Sequence, residues 1–194
     1  GINKEYCVNK DVRESEPVEI AKKEIFITTN RGFGLRYLTE EVPLTGLRGS
    51  GVKAINLKDD FVISGHSFNE AHYLVIVTDK NTAKRIKIDE FEITSRARKG
   101  VQTVRDVKTN PYHILNSFIV QNKADLGIVT SEIIYLKITE IPICDRYQTG
   151  SNISKENIDK VFILNSEEEI DVSLDKVDEQ MMTIDDFLGD IKID

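Results

Sequence analysis

The sequence predicts an all-β fold of the propeller or pinwheel type, and a threefold internal repeat is the main reason. Residues 42–51 align without a gap with residues 91–100 and with residues 141–150. The copies are 49 and 50 residues apart, and self-similarity at such a period is typical of repeat architectures. Each copy closes on a glycine, which indicates a backbone position that needs a positive φ or a close approach.

Short apolar runs flank every copy in the same order, and each run predicts a strand. Within the copy, apolar residues alternate at the first position (Val42, Phe91, Ile141) and the third (Leu44, Ile93, Ile143). One run precedes the copy at 22–30, 72–79 and 126–130, a second at 35–38, 84–88 and 134–138, and one follows at 61–63, 114–119 and 161–164. Each repeat therefore has about four short strands, the size of one propeller blade.

The repeats set the predicted domain boundaries. We expect blades at about residues 24–71, 72–123 and 124–165, the end of a preceding blade or a linker at 1–23, and an acidic, largely disordered tail at 166–194. Closed propellers have about four to eight blades, so about three blades predict a partial ring with further blades upstream, or an open arc. A β-sandwich with a coincidental repeat is the alternative, and the ungapped alignment argues against it.

The negative charge of the chain is concentrated at its C-terminal end. The whole chain carries a net charge of −7, but residues 166–194 alone contain eleven acids and two bases, which leaves +2 for residues 1–165. Such an asymmetry indicates a domain with a polyanionic partner. As a tethered polyanion, the tail is expected to compete with that partner for the same basic surface. The sequence has no run of 18 apolar residues, so it predicts no membrane span.

Positive charge is concentrated in the second repeat. Residues 72–123 hold ten bases and five acids, whereas residues 24–71 hold five and six, and residues 124–165 hold four and six. We expect a basic rim whose side chains neutralise DNA phosphates; an ordinary solvated polar face is the alternative. The candidate DNA-binding residues are Arg48, Lys53, Lys84, Arg85, Arg96, Arg98, Lys99, Arg105, Lys108 and Arg146.

Catalytic, metal and cofactor motifs are missing from the sequence. The glycine-rich turn at 30–34 lacks the Gly-Lys-Ser/Thr ending of a phosphate-binding loop, and the three histidines lack metal-ligand spacing. Alternation within the second strand explains Tyr37 and Tyr135 as packing residues. We therefore expect a binding domain with no catalytic residue and no cofactor.

The first repeat resembles a blade of the C-terminal domain of bacterial type IIA topoisomerase A subunits. The resemblance rests on Gly34-Leu-Arg-Tyr37, Glu40-Glu-Val-Pro43 and Arg48-Gly-Ser-Gly-Val-Lys-Ala-Ile-Asn-Leu-Lys-Asp-Asp60. The part that begins at Gly51 is most similar to the topoisomerase IV type of this subunit (ParC). The resemblance covers about residues 20–165 and weakens from the first repeat to the third.

The resemblance implies a β-pinwheel with strand exchange between blades, whose rim binds and bends duplex DNA. It implies a part in ATP-dependent strand passage, decatenation and supercoil relaxation by a cytoplasmic, nucleoid-associated enzyme. Its partners would be duplex DNA, a second copy of the same subunit and the ATPase B subunit, the last two through other parts of the enzyme, with no membrane contact.

Two alternatives to this function stay open. One is the DNA-wrapping domain of gyrase, whose Gln-Arg-Arg-Gly-Gly-Lys-Gly-like box is degenerate here at 46–51 and 95–100. The other is a propeller for protein–protein interaction, with the acidic tail as its docking arm.

Overall fold

The computed structural model describes residues 22–165, which form three β-sheets. In this part of the chain the strands are joined by loops and by three 3-10 turns, at Thr39–Glu41, Ile88–Glu90 and Ile138–Glu140. The strands are β1 (Glu24–Thr29), β2 (Phe33–Leu38), β3 (Val62–Phe68), β4 (Tyr73–Thr78), β5 (Thr82–Lys87), β6 (Val101–Gln102), β7 (Ile114–Val120), β8 (Ala124–Val129), β9 (Ile133–Lys137), β10 (Ser151–Asn152) and β11 (Lys160–Asn165). The acidic tail and most of the predicted linker at 1–23 lie outside the described residues.

The strands form three antiparallel sheets, one for each repeat, and the predicted all-β fold is confirmed. The strand orders are β3-β1-β2-β6, β10-β5-β4-β7 and β11-β8-β9. In each sheet the first two strands of the repeat form a hairpin, as in the pair of Ile27 with Leu35. The central strand β4 is buried on both faces, from Leu74 to Val77, because the sheet packs against its neighbours on either side.

The fourth strand of the first two sheets comes from the next repeat along the chain. Strand β6, in the second repeat, pairs with β2 of the first, where Gly34 lies opposite Val101. Strand β10, in the third repeat, pairs with β5 of the second, where Ala83 lies opposite Ser151. The predicted four strands per blade are thus completed by strand exchange, and in the described residues the third sheet has three strands.

The three closing glycines occupy equivalent backbone positions, as predicted. Gly51, Gly100 and Gly150 have φ angles of +79°, +81° and +84°. Such angles are left-handed, a region that residues with a Cβ atom rarely adopt. The glycine is therefore required by the backbone turn that aims each exchanged strand at the preceding sheet.

The alternation inside the repeated stretch does not produce a strand, and that prediction is wrong. First-position residues Phe91 and Ile141 are buried, but third-position residues Ile93 and Ile143 are exposed. After the 3-10 turn, the chain touches the preceding sheet through single parallel bridges, one of them between Arg36 and Ile93. A single bridge is not a ladder of paired strand residues. The apolar residue at the third position therefore does not lie on the pleated surface of a sheet.

The core lies between neighbouring sheets. One buried cluster joins the first two sheets through residues such as Phe26, Leu74 and Phe91, and a second joins the last two through residues such as Val75 and Leu126. The rings of Phe26 and Phe91 meet edge to face with centroids 4.8 Å apart. Each repeat therefore buries its apolar face only by stacking on the next one.

The packing role predicted for two tyrosines is confirmed for one of them. Tyr37 on β2 is 2% exposed, whereas Tyr135 on β9 is 59% exposed. Both belong to the second strand of their repeat, but β2 is covered by β6, and in the described residues β9 pairs only with β8. By repeat position Tyr135 corresponds to Arg36, the residue before Tyr37. Adjacent residues of a strand point to opposite faces, so the two tyrosines lie on different faces of the second strand and only Tyr37 faces the core.

Candidate nucleic-acid interface

Two of the candidate DNA-binding residues, Lys84 and Arg85, are buried, which corrects the prediction that they contact DNA. Lys84 is 1% exposed. Its Nζ donates to the carbonyl oxygens of Asp145, Arg146 and Gln148 at 2.8, 3.0 and 2.6 Å. Burial is the main cause that lowers the pKa of Lys84 to about 8 from its ordinary 10.5. All three ammonium protons are used inside the protein, so Lys84 holds a loop instead of a phosphate.

Arg85 connects the second repeat to the third. Its Nε donates to the carbonyl oxygen of Ile141 at 2.7 Å and its Nη2 to that of Thr139 at 3.2 Å. Arg36 has the equivalent role one repeat earlier, donating to the carbonyl oxygens of Ile88 and Phe91. The arginine that recurs in the second strand of the first two repeats therefore connects neighbouring blades, and its guanidinium is not available to bind DNA.

Arg96 is also engaged within the protein, although it is only partly buried. Its guanidinium donates to the backbone carbonyl of Glu41 at 3.0 Å and to that of Lys53. Glu41 ends the 3-10 turn of the first repeat, and Lys53 lies in the loop that follows this turn. Arg96 thus connects two consecutive repeats. We assign it to this contact, whereas its exposed neighbours Arg98 and Lys99 stay candidates for DNA binding.

Three candidate residues from two repeats come together in one groove. Arg98 and Lys99 of the second repeat and Arg146 of the third line a groove of about 760 Å³. Two acids, Glu90 and Glu92, share the lining. The backbone turns that precede Gly100 and Gly150 place the three bases there, because they are the same loop in consecutive repeats.

A second groove of about 600 Å³ continues the basic surface, with Lys99 in the lining of both. Arg105, another of the candidate residues, lies in it together with Arg31 and Lys58. The Nζ of Lys99 lies 4.2 Å from the centroid of the Phe33 ring, which orients the side chain by a cation–π contact. Three aspartates also contribute to its lining: Asp59, Asp60 and Asp106.

Sequence reasoning missed Arg31 and Lys58, because the first repeat has one more acid than base. The available signal was positional. Arg31 lies in the hairpin turn between β1 and β2, and Lys58 lies in the loop before β3. Such loops meet at one edge of the sheet. Their bases can therefore form a basic surface there even though the net charge of the whole repeat is not positive.

The remaining candidates are exposed but line neither groove. They are Arg48, Lys53 and Lys108. The Nζ of Lys53 donates to Oδ1 of Asn56 at 2.9 Å. These three residues stay predictions as DNA contacts, outside the surface that the grooves define.

Other kinds of site are not seen among residues 22–165. No group of three or more histidine, cysteine and acidic side chains is arranged to hold a metal ion there. None of the helical turns in this range has the length or apolar character needed to cross a membrane.

Comparison with known families identifies the fold. The family described as DNA gyrase C-terminal domain, beta-propeller, matches residues 23–69 and 72–122. The chain belongs to this family. The match covers the first two repeats, which carry both exchanged-strand acceptors, the second groove and, apart from Arg146, the lining of the first groove.

Relatives of this gyrase C-terminal domain family member include the topoisomerase 4 A subunits of two bacteria. The protein of Bacillus subtilis (strain 168) is 38% identical over 133 residues, which are 67% of this chain and 16% of the relative. The protein of Staphylococcus epidermidis is 30% identical over 154 residues, or 75% of this chain and 19% of the relative. The matched segments therefore span less than a fifth of the length of these curated relatives.

Two solved structures show the same fold. The C-terminal domain of DNA topoisomerase IV superposes with a TM-score of 0.70 at 30% identity, over 75% of this chain and 47% of that one. The DNA gyrase A C-terminal domain superposes with a TM-score of 0.64 at 16% identity, over 72% of this chain and 50% of that one. At the lower identity the second likeness supports the fold alone.

Proposed function

We propose that this domain binds duplex DNA across the two basic grooves and bends it, as the DNA-gripping part of a topoisomerase IV of the ParC type. The observation that carries the proposal is the convergence of Arg98, Lys99 and Arg146 from two repeats on one groove. Lysine and arginine on a curved surface contact phosphates without reading bases, so the domain would position DNA by backbone contact and by bending.

The topoisomerase IV type is favoured over the gyrase type by two observations. The relatives at 38% and 30% identity are topoisomerase IV proteins, whereas the gyrase domain structure is 16% identical. The stretches at 46–51 and 95–100 are also degenerate versions of the gyrase box. We infer a role in ATP-dependent strand passage for decatenation and supercoil relaxation.

The rest of the enzyme would supply the chemistry. We propose that DNA cleavage, dimerisation and the contact with the ATPase B subunit belong to other parts of a longer polypeptide, in the bacterial cytoplasm at the nucleoid. The role of this domain would then be to orient the DNA segment before passage. None of its proposed contacts needs a metal or a cofactor, because arginine and lysine neutralise phosphates directly.

Salt dependence tests DNA binding against the alternative of a protein-interaction module. Titration of a fluorescent 30-base-pair duplex should give a linear fall of log K with log salt, with a slope of about −0.9 for each phosphate contact. Two duplexes of unrelated sequence should give the same affinity and slope. Binding that is absent, or that is insensitive to salt, would favour the protein-interaction module.

A further inference from the structure

The loop that carries Arg146 is held by a buried lysine of the preceding repeat. The Nζ of Lys84 donates to three carbonyl oxygens of the loop, those of Asp145, Arg146 and Gln148. Within the loop, the carboxylate of Asp145 accepts the amides of Tyr147 and Gln148 at 2.8 and 3.0 Å. Because carbonyl oxygens and amides of the same short loop are both paired, this network favours a single backbone conformation.

A glutamate of the second repeat supports the same loop at the amide of Arg146. Oε2 of Glu90 accepts this amide at 3.2 Å. The contact recurs one repeat earlier, where Oε2 of Glu41 accepts the amide of Arg96 at 3.4 Å. Both glutamates end equivalent 3-10 turns, and both arginines occupy the same position of the repeated stretch. The carboxylate at the end of the turn is therefore a recurrent support for an arginine of the next repeat.

The two arginines use their guanidinium groups differently. Between the first two repeats, Leu35 stands at the position of Lys84, and the guanidinium of Arg96 itself bonds to backbone carbonyls. Between the second and third repeats, Lys84 binds the loop carbonyls instead. The guanidinium of Arg146 lies beside the exposed ring of Tyr147, with Cζ 5.2 Å from the ring centroid, and Arg146 lines the first groove. The supported loop therefore leaves the Arg146 side chain at the groove.

We propose that Glu90 is a positioning residue for DNA binding, which with Lys84 fixes the loop so that Arg146 meets a phosphate in an orientation already set. The inference rests on the proposed function and names a residue that prepares its groove. An arginine on a fixed loop loses less conformational freedom when it binds, so its phosphate contact is stronger. Glu90 acts through Arg146 and makes no attractive contact with DNA itself, because its carboxylate has the same sign of charge as a phosphate.

The charge of Glu90 allows a test by the sign of the effect. Glu90 and Glu92 both line the first groove, so electrostatics alone predicts that removal of either acid strengthens DNA binding. Positioning predicts the opposite for Glu90, because Arg146 then loses the support of its amide. Glu92 is exposed, and Glu92→Ala is the matched control. Glu90→Gln removes the charge but keeps an oxygen that can accept the amide of Arg146.

Titration of duplex DNA with the full chain at several salt concentrations tests the proposal. We expect Glu90→Ala to bind more weakly than the wild type, with a log K–log salt slope shallower by up to about 0.9, the loss of one phosphate contact. Glu92→Ala and Glu90→Gln should keep the wild-type slope and bind at least as tightly as the wild type. When Arg146→Ala is already present, Glu90→Ala should cause no further loss, because coupled residues do not contribute independently.

Hydrogen exchange without DNA separates this inference from the proposed function. The amide of Arg146 should exchange faster in Glu90→Ala but not in Glu92→Ala, while the amides of β4 stay protected and show that the core is folded. Unchanged protection of the Arg146 amide would overturn the positioning role. So would a Glu90→Ala chain that binds DNA as tightly as Glu92→Ala, and the proposed DNA binding would then stand. A wild type without salt-dependent binding would overturn the proposed function, and this inference with it.

Discussion

Gly100 lies against the carbonyl oxygen of Gly34, so close that a Cβ atom built on Gly100 would be 2.4 Å from that oxygen. The contact joins the second repeat to the first at the start of the exchanged strand. Gly51 has nearly the same φ but no such neighbour among the described residues. The pair of glycines therefore separates the cost of the backbone angle from the cost of the contact.

Gly100→Ala should destabilise the domain more than Gly51→Ala. Both changes place a Cβ at positive φ, which costs about 1–2 kcal/mol, but only the first also forces the exchanged strand away from β2. Urea unfolding at high dilution measures the difference, which we expect to exceed about 1 kcal/mol. Equal losses of stability for the two variants would show that the contact between Gly100 and Gly34 adapts to a Cβ atom without a further cost in stability.

The burial of Lys84 predicts a pH dependence of stability. The pKa of Lys84 is about 8 in the folded protein and has its ordinary, higher value in the unfolded chain, so the unfolded chain binds more protons between about pH 8 and pH 10.5. Stability from this group therefore rises with pH across that window. Below about pH 8 the full cost of burying the charge remains.

The measurement compares the wild type with Lys84→Met, in which every other titrating group is retained. The difference in unfolding free energy should shift in favour of the wild type by up to about 3 kcal/mol between pH 7.5 and pH 10.5. Parallel pH profiles for the two proteins would mean that the Lys84 ammonium is not desolvated in the folded state.

Arg85→Met should loosen the third repeat. The change removes the donors to the carbonyl oxygens of Thr139 and Ile141, and the buried acceptor of Ile141, left unpaired, costs about 1–3 kcal/mol. Hydrogen exchange should accelerate at the amides of Cys144 and Ile153, which donate across the same junction. Arg85→Lys should not restore the protection of these amides, because lysine lacks the planar guanidinium fork. Full protection in either variant would contradict the role of Arg85 in connecting the two repeats.

Alanine substitution should lower the stability of the domain at Arg96 and weaken its DNA binding at Arg98. Arg96→Ala removes two exposed hydrogen bonds to backbone carbonyls of the first repeat, so it should lower stability by about 0.5–1.5 kcal/mol. Arg98→Ala should leave stability unchanged and make the slope of log K for duplex DNA against log salt shallower by about 0.9. The reverse pattern would exchange the roles of these two residues.

The repeat made the fold predictable, because period and glycine position are local properties of the sequence. Strand exchange was implied only by the family resemblance. The residue pattern did not locate the exchanged strands, since β6 and β10 are two residues long and their partners lie more than one repeat away. The site was predictable only in part. Lys84 and Arg85 are adjacent on one strand and so point to opposite faces, which means that they cannot both lie on one exposed rim. That both side chains are buried could not be read from the sequence, because it depends on neighbouring sheets that pack against both faces.

The central claim is that duplex DNA binds across the two basic grooves and that Arg98, Lys99 and Arg146 supply the main contacts. Its most direct test is the DNA affinity, as a function of salt, of the triple variant Arg98→Glu, Lys99→Glu and Arg146→Glu. The control reverses three exposed charges that line neither groove, with the changes Lys123→Glu, Lys155→Glu and Lys160→Glu. Both variants change the net charge equally, so a difference between them reports position.

We predict that the groove variant binds duplex DNA far more weakly than the control, with a log K–log salt slope shallower by about 2.7 for three lost phosphate contacts. The control should keep a slope close to that of the wild type. Equal losses in the two variants, or an unchanged slope in the groove variant, would contradict the claim and place the DNA on another surface.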